Sequence, residues 1–483
     1  METTAPVPPA GGSSAHPQWV LALTGLGIFM VVLDGLVVVT ALPLIHAEVG
    51  GDVAALQWIL SAYLLAFGAG IVTASSLGDR FGRRRLFVLG LVLFSLSSAA
   101  CALAPTISWL IAARTVQGIG AAFVTPLSLS LLMAAFPPAR RGAVLGLWGG
   151  IAGVAVAAGP LVGGGLTQAL SWHWIFWINV PIGLAAAALS SRFIDESLGP
   201  DRHVDLPGAA LITSSSVGLL WGLTRGNAAG WTSAETVLSL GIGAALFVAF
   251  VLWERRARAP MVPLGLFRNR SFAAANAIGF VSLGALLSAA VFMSQYYQLV
   301  LGYSPFAAGL RFLPWTATPL VVAPLAGRLV DRIGSRPLMV IGLALQALGF
   351  SLVVVLATAT TSYTTLAAPL TLAGVGISLV LPSAPAAAFG AVEPRFIGKA
   401  SGVFNSMQRF GGAFVLAIAS AAFTAVGQLG PPSEFLVGFR WALGVSIAFS
   451  IVGAILALGV SRPILRAVTV TAPAADSARS GTL

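Results

Sequence analysis

The chain has 483 residues, 57% of them hydrophobic and 8% charged, with a mean hydropathy of +0.94, whereas soluble domains carry roughly 25% charged residues. That excludes a soluble globular protein and points to an all-α polytopic membrane protein. The formal net charge of +11 does not indicate a nucleic-acid binder: of 26 Lys and Arg, 21 fall in alternate loops or the C-terminal tail, 2 in the opposite loops and 3 within spans, the positive-inside pattern that orients helices in a bilayer.

A helix needs about 20 apolar residues to span a bilayer. Fourteen stretches qualify, at approximately 20–42, 55–77, 86–104, 108–134, 142–168, 174–192, 206–223, 236–254, 271–298, 306–328, 337–357, 363–388, 398–425 and 438–460. Residues 1–18, rich in Pro, Ala, Gly and Ser, are expected to form a disordered tail. The first apolar run lacks a basic leader and exceeds signal-peptide length, so it is expected to be a span and not a cleaved signal. The alternation of basic loops expects both termini on the cytoplasmic side of a plasma membrane. Nearly all the basic residues are Arg, with Lys399 the exception, which hints at a GC-rich bacterial genome.

In chain order, the first span holds Asp34 inside Leu33-Asp34-Gly35-Leu36-Val37-Val38-Val39-Thr40-Ala41-Leu42-Pro43. An ionised Asp at a helix centre costs about 2.5–3.5 kcal/mol on insertion scales, so it is by default a proton or ligand site; the alternative is a carboxyl that only bonds neighbouring helices. Between the second and third spans, Asp79 to Arg85 carries five charges in seven residues and must lie in water. Cys101 is the single cysteine, which rules out an intrachain disulfide. The fourth span contains Leu110, Arg114, Gln117, Gly118, Gly120, Ala121 and Ala122. Asp34 and Arg114 each lie about 9 Å from the outer ends of their spans at 1.5 Å per residue, and equal depth permits an ion pair. The fifth span has Gly146, then Gly159-Pro160-Leu161-Val162-Gly163-Gly164-Gly165, small residues suited to close helix contact around a proline that removes a backbone donor. Trp172, Trp174 and Trp177 follow as an interfacial belt around His173.

Asp79 recurs as Asp331, a shift of 252 residues, and Gly118, Gly120 and Pro126 recur as Gly374, Gly376 and Pro382, a shift of 256. Internal repeats of this kind are frequent in secondary transporters. Two six-helix halves are expected at 19–192 and 271–462, with two inserted helices and their loops at 193–270 and a cytoplasmic tail at 463–483. Trp58, Tyr63, Gln117, Gln295, Gln298, Trp315, Asn405 and Arg409 are candidates for the wall of a substrate cavity, or equally for interfacial and interhelical contacts. Gly398-Lys399 lacks the rest of a P-loop, no His/Cys cluster has metal spacing, and no nucleophilic triad can be picked out. No enzyme, metal or cofactor is expected.

Five of these stretches together resemble the major facilitator superfamily. Asp79-Arg80-Phe81-Gly82-Arg83-Arg84 is similar to its cytoplasmic signature, with Ser75 where the family has Gly and Gly327 retaining it in the second copy. The Asp34 and Arg114 segments, the Gly-Pro run with Ala155 in place of a glycine, and Trp172-His173-Trp174-Ile175-Phe176 with His173 in place of Arg resemble fourteen-helix drug:proton antiporters of the bacterial multidrug efflux type. Ser401, Gly402, Asn405, Gln408 and Arg409 resemble their thirteenth span.

The resemblance implies a major facilitator fold of two six-helix bundles plus two inserted helices. It implies Asp34 and Arg114 as the proton-coupling pair, and Asp79, Arg80, Gly82 and Arg83 with Asp331, Arg332 and Arg336 as a conformational latch, for which a topology anchor is the alternative. It also implies Gly146, Gly159, Pro160, Gly163 and Gly164 as the antiporter seam. The implied function is proton-driven export of amphipathic drugs or antibiotics by alternating access, with a small amphipathic substrate, protons and lipid as partners. The alternatives are export of an endogenous metabolite or self-made antibiotic, and a non-transporting receptor on the same scaffold.

Overall fold

The computed structural model describes residues 17–198, 205–258, 260–393 and 396–461, without the side chains at 138, 139, 141–143, 145, 146 and 331. The expected tails at 1–18 and 463–483 lie outside these residues, apart from the first two positions of helix 1. Fourteen long helices run through the described chain, with no strand among them: α1 Pro17–Val49, α2 Val53–Phe81, α3 Arg83–Ala102, α4 Ile107–Ala135 and α5 Pro138–Ala169; α6 Trp174–Phe193, α7 Leu206–Ala229, α8 Ala234–Arg256, α9 Arg270–Val300, α10 Pro305–Val330, α11 Ser335–Leu356 and α12 Tyr363–Gly390; and α13 Ile397–Thr424 and α14 Pro432–Ala457. Each expected span lies on one of them. Thirteen are long and apolar enough to cross a membrane. The other, α13, has 28 residues but carries Lys399, Asn405, Gln408 and Arg409, which dilute its hydropathy.

Side chains start and stop several helices locally. Asp52 caps α2 by accepting from the Ala55 N–H at 2.8 Å, and Asn269 caps α9 by accepting from Ser271 N at 2.9 Å. The α2–α3 turn requires Gly82, whose φ of +113° lies in the region that favours glycine. A Cβ there would also meet the Glu196 carboxylate at 2.7–2.9 Å.

α1–α6 pack together and so do α9–α14, and the duplication extends to individual contacts. A Cβ on Gly118 of α4 would strike the backbone of Tyr63 on α2, and one on Gly120 would strike Phe94 on α3. In the second half Gly374 of α12 meets Trp315 on α10, and Gly376 meets Gln346 on α11. Tyr63 to Trp315 and Phe94 to Gln346 are both shifts of 252, while the glycines shift by 256. At the same shift Arg114 maps to the buried Leu370, so the first half alone carries an arginine at that position.

The halves join chiefly through α5 with α10 and α2 with α13, and α1 also touches α9 and α10. Of the inserted helices, α7 packs against α8, α2 and α13. It thereby covers one seam between the halves, and α8 leans on α7. Near the face opposite the arginine-rich loops, Trp58 Nε1 on α2 donates to Thr224 Oγ1 on α7 at 3.3 Å, and Asn227 on α7 donates to Thr424 Oγ1 on α13 at 2.9 Å.

The halves are closed at that opposite face and parted at the arginine-rich face. On α5, a Cβ at Gly164 would lie 2.7 Å from the Pro305 carbonyl carbon; on α10, one at Gly309 would lie 2.9 Å from that of Pro160. Two to three turns further along, Gly153 reaches Leu320 only at 3.9 Å, and Gly149, Gly150 and Gly327 meet open space. Polar links follow the same gradient. Gln298 Nε2 donates to Thr40 O at 2.9 Å, Phe306 N to Gln168 Oε1 at 3.2 Å, and at mid-depth Ser406 Oγ to Gly68 O at 2.7 Å. Among the described residues no hydrogen bond joins the halves nearer the arginine-rich face.

Candidate functional site

Asp34 is 1% exposed and Arg114 0%. Arg114 Nη1 pairs with Asp34 Oδ2, as their equal depth on α1 and α4 permits. Asp34 Oδ1 accepts from Gln117 Nε2 at 2.9 Å and from Asn179 Nδ2 at 3.0 Å. Gln117 Oε1 accepts in turn from Arg114 Nη1 at 2.8 Å, closing a ring of three side chains across two helices. Asn179 also donates to Ser98 Oγ at 3.2 Å, and Ser98 donates to Phe176 O at 2.8 Å, drawing in α6 and α3. Arg114 Nε donates to Ile59 O on α2 at 3.3 Å. Its guanidinium lies over the Tyr63 ring at 4.1 Å, and Tyr63 Oη donates to Val31 O at 3.2 Å. A carboxylate and a guanidinium removed from water are tolerated only when paired and hydrogen-bonded, and here five helices supply the partners.

Several expected wall residues have other positions. Tyr63 and Gln117 belong to this buried network. Trp58 is bonded to α7, with its ring 6.1 Å from that of Trp221. Trp315 is buried between Phe312 at 6.0 Å and Phe350 at 5.4 Å. Gln295 is buried with its Oε1 unpartnered, and Gln298 bridges to α1. Asn405 donates to Ser401 O at 2.9 Å within its own helix, while Arg409 faces α2 across the divide. A cavity of about 710 Å³ at the opposite face, lined by His46, Asp52, Thr224, Asn227, Gln428 and Glu434 among others, includes none of the eight candidates.

Sequence reasoning missed Asn179 as a partner of Asp34 and Ser98 as the acceptor behind it. The available signal was a polar side chain in an apolar run, but nothing local tied either residue to α1.

The seam glycines face two ways. Gly159 and Gly163 leave room for Leu36, Val37 and Thr40 of α1, while Gly164 leaves room for Pro305 and Phe306 of α10. The side-chain position of Gly146 lies outside the described residues. At the arginine-rich face, Arg83 Nε bonds Asp79 Oδ1 at 2.8 Å, and Glu196 accepts from the backbone N–H of Arg84 at 3.0 Å and of Arg85 at 3.2 Å. Arg80 is exposed. The loop is thus tied to the end of its own half. In the second copy Arg332 is exposed and Arg336 half-buried; the Asp331 side chain lies outside the described ones.

A family model of the Major Facilitator Superfamily matches residues 24–415 and, in a second match, 277–479. The chain is 36% identical over 407 residues, covering 84% of this chain and 75% of the relative, to multidrug resistance protein Stp of Mycobacterium tuberculosis (strain CDC 1551 / Oshkosh). It is 34% identical to the tetracenomycin C resistance and export protein of Streptomyces glaucescens, covering 70% of this chain and 63% of that one. It is 33% identical to the puromycin resistance protein pur8 of Streptomyces alboniger, covering 94% and 93%. Among solved structures, a POT family transporter in complex with 5-aminolevulinic acid superposes with a TM-score of 0.69 at 16% identity, covering 94% of this chain and 99% of that one. At that identity the likeness speaks for the fold alone. With a family model spanning most of its length and drug-resistance relatives over most of theirs, the chain belongs to the Major Facilitator Superfamily, among its drug-efflux members.

Proposed function

We propose that the protein is a proton-coupled antiporter that exports amphipathic drugs or antibiotics across a bacterial plasma membrane, with its arginine-rich face in the cytoplasm. The observation that carries the coupling is the fully buried Asp34–Arg114 pair in a chain whose halves are closed at one face and parted at the other. Asp34 accepts every contact made to it. A proton on Oδ2 would take the place of the Arg114 N–H, so protonation and the ion pair exclude each other. Losing the pair releases contacts that hold α1, α4 and α6 together, which links proton entry to the packing of the first half. Rocking α1–α6 against α9–α14 then alternates access, and the Asp79 loop closes on the second half when the arginine-rich face shuts. The proton gradient is the drive, with no bound cofactor. The relatives' names support antibiotic-like cargo; a self-made antibiotic or another endogenous metabolite is the alternative.

The test is dye efflux in inverted vesicles energised by a proton gradient. Asp34→Asn should abolish gradient-driven transport while the protein remains in the membrane at normal yield. Unchanged efflux in that variant would remove Asp34 as the proton carrier, and no efflux by the parent protein would favour a receptor. A resistance profile of overproducing cells identifies the cargo.

A further inference from the structure

In the second half, Arg409 has no carboxylate partner among the described residues. Arg409 lies mid-way along α13, on the face that meets α2, where a Cβ on Gly68 would come 3.0 Å from its own Cβ. Its guanidinium covers the Phe67 ring at 4.4 Å, and Nε is buried without a hydrogen-bond partner. The side chain as a whole is half-buried. Arg114 is answered by Asp34; Arg311 leaves its own Nε unpartnered but donates to Ala307 O at 2.9 Å, a contact of a kind that is not seen for Arg409 among the described residues. The acids of that half are Asp331 in the last turn of its helix at the arginine-rich face, Glu393 in the loop before α13, and Glu434 in the first turn of α14. No carboxylate of that half can therefore meet Arg409 at mid-depth. Asn405, one turn away, commits its Nδ2 to Ser401.

An uncompensated guanidinium at membrane depth is expensive and marks a functional position. Guanidinium geometry suits planar, two-oxygen anions, and the buried Phe67 ring under it fixes its position. We propose that Arg409 anchors an anionic group of the cargo, a carboxylate, sulfonate or phenolate, so that this exporter favours acidic amphipaths over cationic ones. Phe67 meets Tyr63 edge-on at 5.8 Å, and Tyr63 carries Arg114 on its face. The anchor is thus two rings from the Asp34 pair. The inference rests on the export reading only for the direction of movement; anion binding stands by itself.

The experiment measures equilibrium binding by fluorescence anisotropy on the full chain in lipid nanodiscs, using two dyes with the same xanthene core, anionic fluorescein and cationic rhodamine 6G. Fluorescein is expected to bind more tightly. Arg409→Gln should weaken it about tenfold or more, as loss of one partner of a desolvated charge pair does, while Arg409→Lys retains most of the affinity and rhodamine 6G is indifferent to both changes. Exchanging chloride for gluconate and phosphatidylcholine for phosphatidylglycerol separates the sources of the anion. Displacement of fluorescein by chloride alone, or by the anionic lipid alone, would overturn the proposal, as would equal loss of both dyes in Arg409→Gln. If the Gln variant fails to assemble, a wild-type preference for rhodamine 6G would still overturn it. None of these outcomes depends on proton coupling, which the Asp34→Asn efflux assay tests separately.

Discussion

At Asp34, Oδ1 is held by Gln117 and Asn179 and Oδ2 by Arg114, so removing one charge strands the other in a site without water. Breaking such a pair typically costs about 3–5 kcal/mol, whereas removing both charges can be close to neutral. Arg114→Ala is therefore expected to lower the melting temperature and membrane yield more than Asp34→Ala/Arg114→Ala does. The double variant should be folded and inactive in dye efflux. Thermal melts of the three proteins in one detergent decide this, and losses that simply add would show that the two side chains act independently.

Among the contacts that join the halves, that of α5 with α10 leaves the least room for a side chain. A Cβ on Gly164 would lie against backbone, 2.7 Å from Pro305 C and 3.0 Å from Phe306 Cα, and backbone inside packed helices cannot give way as a side-chain tip does. Gly164→Val should keep the opposite face from closing. A cysteine reporter at the buried Ala308 should then react with an impermeant maleimide severalfold faster than in the parent, and export should fall. Gly149→Ala, where a Cβ meets nothing within 4 Å, should leave the labelling unchanged and stabilise the helix by up to about 1 kcal/mol. Similar labelling in both variants would contradict a closed seam at Gly164. Because α7 bonds to α2 and α13 near the same face, it limits how far the α2–α13 seam can part without breaking the Asn227 contacts.

For the whole molecule, orientation and charge movement are the measurable consequences. With 21 basic residues in one set of loops and tail against 2 in the other, a cysteine at Ser335 should react with impermeant reagents only from the cytoplasm and one at Gly230 only from outside. Labelling of both from one side would break the proposed topology. Asp34 is the only acid well within a span among 15 Asp and Glu, so one proton is expected per cycle. Exchange for a neutral substrate moves one charge inward, worth about 2.3 kcal/mol per 100 mV. Exchange for a monoanion moves two, and for a monocation none. Efflux from proteoliposomes with potential and pH gradient imposed separately should rank potential dependence as anion, then neutral, then monocation. Two protons per neutral substrate would reject the single-site scheme.

The sequence by itself determined the number and places of the fourteen helices, the two related halves and the depth of Asp34 and Arg114. Hydropathy runs and residue counts along a helix are local, and each apolar span has to be long enough whatever it packs against. It could not determine neighbours. Asn179 reaches Asp34 across 145 residues, and Tyr63 and Gln117 look like wall residues until α4 is placed against α1 and α2. The tertiary structure alone decided that Trp58 serves the inserted helix, that the Asp79 loop is tied to its own half, and that Arg409 meets no carboxylate among the described residues, because burial and pairing depend on which faces of distant helices meet.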